Sequence, residues 1–338
     1  MDNWILAGPK MLVKQPQSEL TLLSDQVKVK VTYVLASNFD ALCYSGELPV
    51  TYPRTVGRFA VGIVTECGEK VYGIEKGARV FIEGTRPCGK CMHCKRGDFE
   101  ECEHVQIAGL DFDGFLRDFV VCDYRSVAVL PDEIDDLQAL CIEHVAFAEN
   151  IYDKLNLSAG SRVAIVGGNT MAYILAQVAM YHKLVPVVID DNPEGLEKLR
   201  KSGVFYSILY DDDLDANIAE ATSGINCDAA VYISCSKINP DIASRVLARD
   251  KTLVLEGMSF LRFKLDSIPL FRHNIRVFTV TDGYCYTESA INMILHGAID
   301  LDVLDKEILS DFDAAAVLSA KLSDVSHDSK LTVFKLIL

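Results

Sequence analysis

Residues 161–177 read SRVAIVGGNTMAYILAQ, and this stretch decides the fold of the second half of the chain. A run of small and β-branched apolar residues ends in two glycines, and a helical pattern follows at once. The alternation continues with VPVVID and a helix over 193–202, CDAAVYISC and a helix over 240–248, and then TLVLEGM and RVFTVTD. Strands that alternate with helices of this length predict parallel βαβ units and therefore a doubly wound α/β sheet.

The first turn of such a sheet binds phosphates, because the amides at the start of its helix point at the ligand. Against the pattern G-x-G-x-x-G, Gly167 fits the first glycine, while Asn169 and Ala172 replace the other two. Gly168 can let the turn shift. Asp190 ends the second strand, where an acid accepts hydrogen bonds from an adenosine ribose. These residues favour a dinucleotide, and NAD over NADP; the alternative is that Asp190 is an ordinary polar residue at a strand end.

Four cysteines lie close together in residues 88–102, CGKCMHCKRGDFEEC, at Cys88, Cys91, Cys94 and Cys102. Four thiolates at this spacing match a tetrahedral zinc ion. An iron–sulfur cluster is the alternative, but its usual proline after the last cysteine is missing. A site with four thiolates has no open position for substrate, so we expect one structural zinc per chain. We expect the other seven cysteines, at 43, 67, 122, 141, 227, 235 and 285, to be buried.

The rest of the chain sets the domain organisation. Alternating segments between residues 27 and 130 predict a mostly antiparallel β domain. We place this domain at 1–150, the doubly wound domain at 151–282 and a return segment, packing on the first domain, at 283–338. A net charge of −15 argues against a nucleic-acid partner. No apolar run reaches membrane length and no targeting signal is seen, so we expect no membrane partner and a cytoplasmic location.

This combination of domains, with its C-x2-C-x2-C-x7-C lobe, resembles the medium-chain dehydrogenase/reductase family of zinc-containing alcohol dehydrogenases. The resemblance covers nearly the whole chain. It implies a GroES-like β domain, a Rossmann domain, NAD(P) in the cleft between them, and a homodimer or homotetramer. It also implies oxidation of a small alcohol that is held on a second, catalytic zinc ion.

The residues that the family uses for the catalytic zinc are changed in this sequence. The C-G-T-D-x-H segment of the family corresponds to residues 37–42, where Ser37 replaces the cysteine ligand, Phe39 the relay hydroxyl and Leu42 the relay histidine. Arg58 replaces the histidine of a G-H-E segment, and Glu143 matches the remaining ligand position. A serine, a guanidinium and one carboxylate do not hold zinc.

Two consequences are expected from these changes. Arg58 should pair with Glu143 and replace the metal ion electrostatically, because a buried carboxylate needs a partner. Asp40 should pair with Lys330. The apolar Phe39, Leu42 and Phe59 should make the pocket less polar than a polyol would need.

Two functions follow from this sequence. The first is an NAD(P)-dependent oxidoreductase without catalytic zinc, which transfers a hydride to or from a small carbonyl or alcohol compound at Ser37, Arg58 and Glu143. It also needs a general acid, for which Tyr44 and His144 are the candidates nearby in sequence, although each fits better as a core or rim residue. The alternative is a non-catalytic descendant that binds a ligand or regulates a partner, favoured by the joint loss of two glycines and the zinc ligands. A zinc-dependent alcohol dehydrogenase would need replacement ligands that the sequence does not offer.

Overall fold

A computed structural model describes residues 1–233, 238–256, 265–280, 282–323 and 330–336. Parts of the predicted strands, including Cys235 and Thr281, lie outside these ranges. Among the described residues, no helix has the length and apolar composition needed to cross a bilayer.

The elements of the first part of the chain are mostly strands. They are β1 (Asp2–Gly8), β2 (Met11–Pro16), β3 (Gln26–Leu35), α1 (Asn38–Ser45), β4 (Arg54–Thr55), β5 (Phe59–Cys67), β6 (Arg79–Ile82), β7 (Thr85–Arg86), α2 (Met92–Arg96), β8 (Gln106–Ile107), β9 (Phe119–Asp123), β10 (Val127–Val129), α3 (Asp136–Ala139) and α4 (Ile142–Leu155).

Strands and helices alternate in the second part. They are β11 (Arg162–Val166), α5 (Thr170–Tyr181), β12 (Val185–Asp190), α6 (Pro193–Lys201), β13 (Tyr206–Leu209), α7 (Leu214–Thr222), β14 (Cys227–Ile233), α8 (Asp241–Arg245), β15 (Leu247–Glu256), α9 (Ser267–His273) and β16 (Arg276–Val280). The tail adds α10 (Thr287–Leu295), β17 (Asp305–Leu309), α11 (Ala314–Ser323) and β18 (Lys330–Lys335).

The second part forms the predicted doubly wound sheet. Its strand order is β13-β12-β11-β14-β15-β16, and all neighbours are parallel. The order reverses between β11 and β14, and a doubly wound sheet binds ligands at the carboxyl ends of its strands at this point. The turn after β11 is therefore at the position where a ligand is expected.

The first part and the tail share one sheet. Its path is β10-β6-β5-β3-β18-β17, with β9 also paired to β3, and β18 runs antiparallel to β3 from Val333 opposite Leu35. The tail thus contributes a strand to the sheet of the first part, while the domain division stays a prediction. One buried cluster runs from Phe59 and Phe81 of this sheet through α4 to α5, so the two parts share a core.

Several elements depart from the sequence prediction. The edge strand β13 and helix α7 were not predicted, and neither were β1, β2, β17 and α11. The predicted helix over 240–248 ends at Arg245, and β15 begins at Leu247. The prediction that the cysteines outside the cluster are buried is correct for Cys43, Cys141 and Cys227, but Cys67 and Cys122 are only partly buried. Cys285 is exposed, because it lies in a turn with φ of +74°.

Candidate active site

A cavity of about 410 Å³ lies between the two parts of the chain. One wall comes from the end of β3, the start of α1, and the residues Arg58 and Phe59. The opposite wall comes from the turn after β11 and from the carboxyl ends of β14, β15 and β16. The predicted substrate end and the predicted nucleotide turn therefore line the same cavity.

The expected pair of Arg58 and Glu143 is present in this cavity. Arg58 precedes β5 and Glu143 lies in the first turn of α4, and Nη2 donates to Oε1 over 3.1 Å. The two side chains are only 10% and 4% exposed. Burial raises the pKa of Glu143, and the neighbouring positive charge of Arg58 opposes that shift. Removing Arg58 alone would leave a buried carboxylate without a counter-ion.

Aromatic rings hold the guanidinium of Arg58. Its Cζ lies 5.3 Å from the ring centre of Phe39 and 5.0 Å from that of Phe59, distances at which a cation and a ring attract each other. Gly84 makes room for it, since a Cβ there would lie 2.8 Å from Cγ of Arg58. Leu42, by contrast, is buried in the core and does not line the cavity. Only two of the three apolar replacements therefore shape this pocket.

Ser37 lines the cavity, but its polar groups cap a helix. Its hydroxyl accepts from the backbone N–H of Asp40 and donates to Asp40 Oδ2 over 2.5 Å, and its own N–H donates to the same oxygen. Asp40 Oδ1 accepts from the Gly57 N–H over 2.8 Å. Ser37 is thus part of a capping box at the start of α1, and Asp40 ties that helix to the loop before Arg58.

The expected pair of Asp40 and Lys330 is wrong. Lys330 pairs with Glu307 over 3.1 Å, because the parallel register of β17 and β18 brings the two side chains together. Asp40 instead uses the amides and hydroxyl just described. A sequence does not show which distant backbone amide will face a buried carboxylate.

Of the two proposed general acids, only His144 lines the cavity. Its ring lies 4.9 Å from that of Phe59, and its Nδ1 is buried without a partner. Burial and the charge of Arg58 lower its pKa to about 4, so it is neutral at pH 7. Tyr44 is buried in the core of the first domain and does not line the cavity.

The turn between β11 and α5 has the backbone shape of a nucleotide-binding turn, but an asparagine side chain caps the helix that follows it. Gly167 has φ of +115°, and a Cβ on Gly168 would lie 1.9 Å from Asp190 Oδ2, so neither position tolerates a side chain. Asn169 is the N-cap of α5, and its Oδ1 accepts from the N–H groups of Met171 and Ala172 over 2.9 and 3.1 Å. These amides belong to the first turn of the helix, where a pyrophosphate would bind. An asparagine directly before a helix is a capping signal, and it could have revealed this contact.

One carboxylate oxygen of Asp190 has no hydrogen-bond donor. The residue is 3% exposed, and its Oδ2 is buried without a hydrogen-bond partner. Burial raises the pKa of Asp190 to about 6. An unsatisfied buried carboxylate oxygen at the end of β12 fits a ribose hydroxyl, because that group would supply the missing donor.

The four predicted cysteines converge. The Sγ atoms of Cys88, Cys91, Cys94 and Cys102 lie within 4.8 Å of one another. Backbone amides also point at the sulfurs, since Cys88 Sγ accepts from the N–H of Cys91 and Cys91 Sγ accepts from that of Cys94, each over 3.4 Å. Sulfurs at this spacing, with amides directed at them, fit a tetrahedral zinc ion.

A second metal ion does not fit the cavity. Within the ranges that the structure describes, the four-cysteine cluster is the only group of three or more histidine, cysteine or acidic ligand atoms that converges. Glu143 already accepts from a guanidinium, and Ser37 is engaged in its cap. A dication would meet the permanent charge of Arg58 and a single carboxylate, and this set of groups does not suit zinc.

Comparison with known proteins gives consistent matches. Residues 24–132 match the alcohol dehydrogenase GroES-like domain. The sorbitol dehydrogenase of Halalkalibacterium halodurans is 31% identical over 230 residues, which is 67% of this chain and 66% of that protein. The 2-dehydro-3-deoxy-L-galactonate 5-dehydrogenase of Pseudoalteromonas atlantica is 26% identical over 285 residues, 82% of each chain. The chain thus aligns with about two thirds of the length of the first relative.

Solved structures share the whole fold. A crystal structure described as a short chain alcohol dehydrogenase of Escherichia coli, complexed with NADH, has a TM-score of 0.85 at 21% identity and covers 99% of both chains. The 2R,3R-butanediol dehydrogenase of Bacillus subtilis has a TM-score of 0.84 at 20% identity, again covering 99% of both chains. At these identities the likeness establishes the architecture.

Proposed function

Because this chain belongs to the medium-chain dehydrogenase/reductase family of alcohol dehydrogenase-like oxidoreductases, we propose that it is an NAD(H)-dependent oxidoreductase that works without a catalytic zinc ion. The reaction is the transfer of a hydride to or from a small carbonyl or alcohol compound. The observation that carries this proposal is the single cavity lined by both the nucleotide turn and the pair of Arg58 and Glu143.

The residues that would hold the cofactor are those of the turn after β11 and the end of β12. Asp190 would accept from a ribose hydroxyl, and the glycines at 167 and 168 let the backbone pass close by. Asn169 would have to release the amides of α5 before a pyrophosphate could use them. The bound nicotinamide would supply or accept the hydride. An acid at Asp190 supports NAD over NADP, since a 2′-phosphate would be repelled there.

Arg58 would take over part of the electrostatic role of a metal ion. A fixed guanidinium in a cavity with many apolar lining residues stabilises negative charge on an oxygen as a carbonyl is reduced. Glu143 holds the guanidinium in place through one hydrogen bond. Ser37, Arg58 and Glu143 were proposed together as catalytic residues. Of these three we retain Arg58 in direct contact with substrate, with Glu143 positioning it and Ser37 capping α1.

The four-cysteine lobe would hold one structural zinc ion per chain. The convergence of its sulfurs supports this assignment. A cytoplasmic location and a homodimer or homotetramer stay predictions.

A second function is favoured by one observation. The amides that would bind a pyrophosphate are already satisfied by Asn169. A protein that no longer binds dinucleotides could keep this cap at no cost. In that case the cavity would hold a different ligand, and the chain would be a non-catalytic binding or regulatory protein.

The deciding experiment is a titration of the purified protein with NADH and with NADPH, followed by cofactor fluorescence and by the melting temperature. A ligand that binds only the folded state raises that temperature. Binding of NADH in the micromolar range and weaker binding of NADPH would support the oxidoreductase. Absence of binding of either at millimolar concentration would favour the second function.

The number of zinc ions per chain distinguishes these two functions from a zinc-dependent alcohol dehydrogenase. We expect one zinc ion per chain, in the four-cysteine lobe. Two ions per chain would contradict the assignment of the cavity to Arg58 and Glu143.

A further inference from the structure

The charge of the cavity lining contrasts with that of the chain. The protein as a whole has 48 acidic and 33 basic residues, a net charge of −15. Among the described residues that line the cavity, the cationic side chains are those of Arg58, Lys321 and Lys330, and the anionic ones are those of Glu143 and Glu256. Lys330 is paired with Glu307, which does not line the cavity, so the charges of the lining are balanced. A balanced lining in so acidic a protein does not repel an anionic ligand.

Arg58 is the cation with donors left for that ligand. Its residue is 9% exposed, and within the described residues its guanidinium makes one hydrogen bond, from Nη2 to Glu143. A guanidinium carries five N–H groups, so hydrogens remain on Nη1 and Nη2. Its Nε is buried and without a partner. A polar group of this kind is rarely left unsatisfied unless something else binds there.

The surroundings of Arg58 select the type of anion. The rings of Phe39 and Phe59 pack against the guanidinium, and Leu35, Phe147 and Leu331 add further apolar lining. Burying a doubly charged phosphate here would leave negative charge uncompensated, because the lining has an excess of one positive charge at most. A carboxylate carries a single charge, and its two oxygens match the planar fork of a guanidinium.

We propose that Arg58 binds the carboxylate group of a small 2-oxo or 2-hydroxy acid, so that the cavity recognises acids rather than neutral alcohols or sugars. In such an acid the reacting oxygen is on the carbon next to the carboxylate, so one guanidinium can contact both groups. This inference rests on the cavity described under the proposed function, and it names the class of its substrate. Glu143 is then a positioning residue: it holds Arg58 in place and leaves the other donors of the guanidinium for the ligand.

The test compares acids with their neutral amides, which have nearly the same shape. Pyruvate is paired with pyruvamide, and benzoylformate with benzoylformamide. Dissociation constants are measured by isothermal titration calorimetry in the absence of cofactor. We expect at least one of the acids to bind roughly tenfold more tightly than its amide, because the ion pair forms in a largely desolvated site. No preference for the acid in either pair overturns the proposal.

Variants then assign the preference to Arg58. The double variant Arg58→Gln, Glu143→Gln keeps the net charge and leaves no unpaired buried ion. It should bind acid and amide about equally. Its control is Arg79→Gln, Asp136→Asn, which removes another arginine–carboxylate pair, 2.7 Å long and remote from the cavity, and should keep the full preference. A preference that survives in the first double variant overturns the proposal.

If that double variant does not fold, a single conservative substitution at Arg58 gives the same test. Arg58→Lys keeps the charge but loses the planar fork, so the preference for the acid should fall severalfold. An unchanged preference would overturn the role of the guanidinium. NADH is titrated with the same proteins. If acids are preferred but NADH does not bind, the proposed oxidoreductase fails while the acid site stands; if NADH binds without any preference for acids, only the acid site fails.

Discussion

Two regions of this molecule lie where the resemblance to the family predicts zinc sites, and they differ in how they are held together. In the four-cysteine lobe, four like groups converge to within 4.8 Å, which is a favourable arrangement only if a cation lies between them. In the cavity, Arg58 and Glu143 carry opposite charges and satisfy each other over 3.1 Å. The first region therefore depends on an external ion, whereas the second is balanced by the protein alone.

This difference shows what a buried carboxylate needs when no metal ion is bound to it. Removing metal ligands leaves any remaining carboxylate buried, and a buried charge without a partner costs several kcal/mol. Arg58 supplies the missing charge at Glu143, and the capping box at Ser37 uses the polar groups of the other changed position. The lobe shows no such compensation, because all four of its ligands are kept.

The largest expected effect tests whether the lobe depends on an ion. Cys94→Ser removes the most buried thiol of the cluster and should abolish tight zinc binding. We expect a loss of about 3 kcal/mol or more in the free energy of unfolding, because metal binding and folding of such lobes are coupled. The melting temperature and the zinc content check this. Cys285→Ser, an exposed cysteine outside the cluster, is the control and should change neither. If the variant loses its zinc but keeps its stability, the lobe does not depend on an ion.

The next effect tests whether Arg58 balances the buried charge of Glu143 without a metal ion. Arg58→Ala should destabilise the protein by about 3 kcal/mol, because Glu143 is left buried without its counter-ion. Thermal denaturation at pH 7.5 is the measurement. The double variant Arg58→Gln, Glu143→Gln should recover most of this loss, since it removes both charges. An unchanged melting temperature in Arg58→Ala would show that the pair does not replace a metal ion.

The third prediction concerns Glu83, a partly buried carboxylate near Glu143, and the dependence of stability on pH. Glu83 accepts from Thr287 Oγ1 over 2.8 Å, and burial together with nearby Glu143 and Asp282 raises its pKa to about 7. The folded protein therefore holds a proton that the unfolded chain releases above about pH 4.5, and this contribution to stability is lost as pH rises towards 7.

Glu83→Gln removes that dependence and keeps an acceptor for Thr287. At pH 8 the variant should be more stable than the wild type by on the order of 2 kcal/mol, and at pH 4 the two should be equal. Melting temperatures between pH 4 and pH 8 give the comparison. Glu66→Gln, a change at an exposed carboxylate, serves as the control. A difference that does not vary with pH would mean that Glu83 stays ionised in the folded state.

The smallest effect concerns the nucleotide turn. Asn169→Gly frees the amides of Met171 and Ala172, so NADH should bind about fivefold more tightly if it uses them. Asp266→Gly is the control, because Asp266 caps α9 through the N–H of Ile268 and does not line this cavity. NADH fluorescence titrations give both values. Weaker binding by Asn169→Gly would mean that the asparagine is itself part of the site.

Most of the strands and helices of the doubly wound sheet could be predicted from the sequence, because they follow repeated local patterns. The run VAIVGG, followed by a helix, predicts a parallel strand before a turn, and the structure has β11 and α5 at these residues. The strand β13 escaped prediction because its four residues, YSIL, include a serine and lie at the sheet edge. Such a strand is defined by pairing with β12, which a local pattern does not encode.

The site was only partly predictable for a similar reason. The pair of Arg58 and Glu143 followed from charge, since a buried carboxylate requires a partner. The partners of Asp40 did not. The amide of Gly57 comes close only through folding, and Ser37, three residues before Asp40, forms a local capping box with it that was overlooked. Glu83 carried no signal at all, since its raised pKa comes from burial and from neighbours at residues 143 and 282.

The capping box at Ser37 also limits how this cavity could be redesigned. Ser37→Cys would restore a thiol, but it would weaken the bonds that start α1 and loosen Asp40, which anchors the loop before Arg58. Replacing Arg58 as well would leave Glu143 uncompensated until a metal ion arrived. Each single step towards a zinc site therefore lowers stability before it brings any benefit. A designer would have to make these changes together, and natural selection would rarely retrace them one at a time.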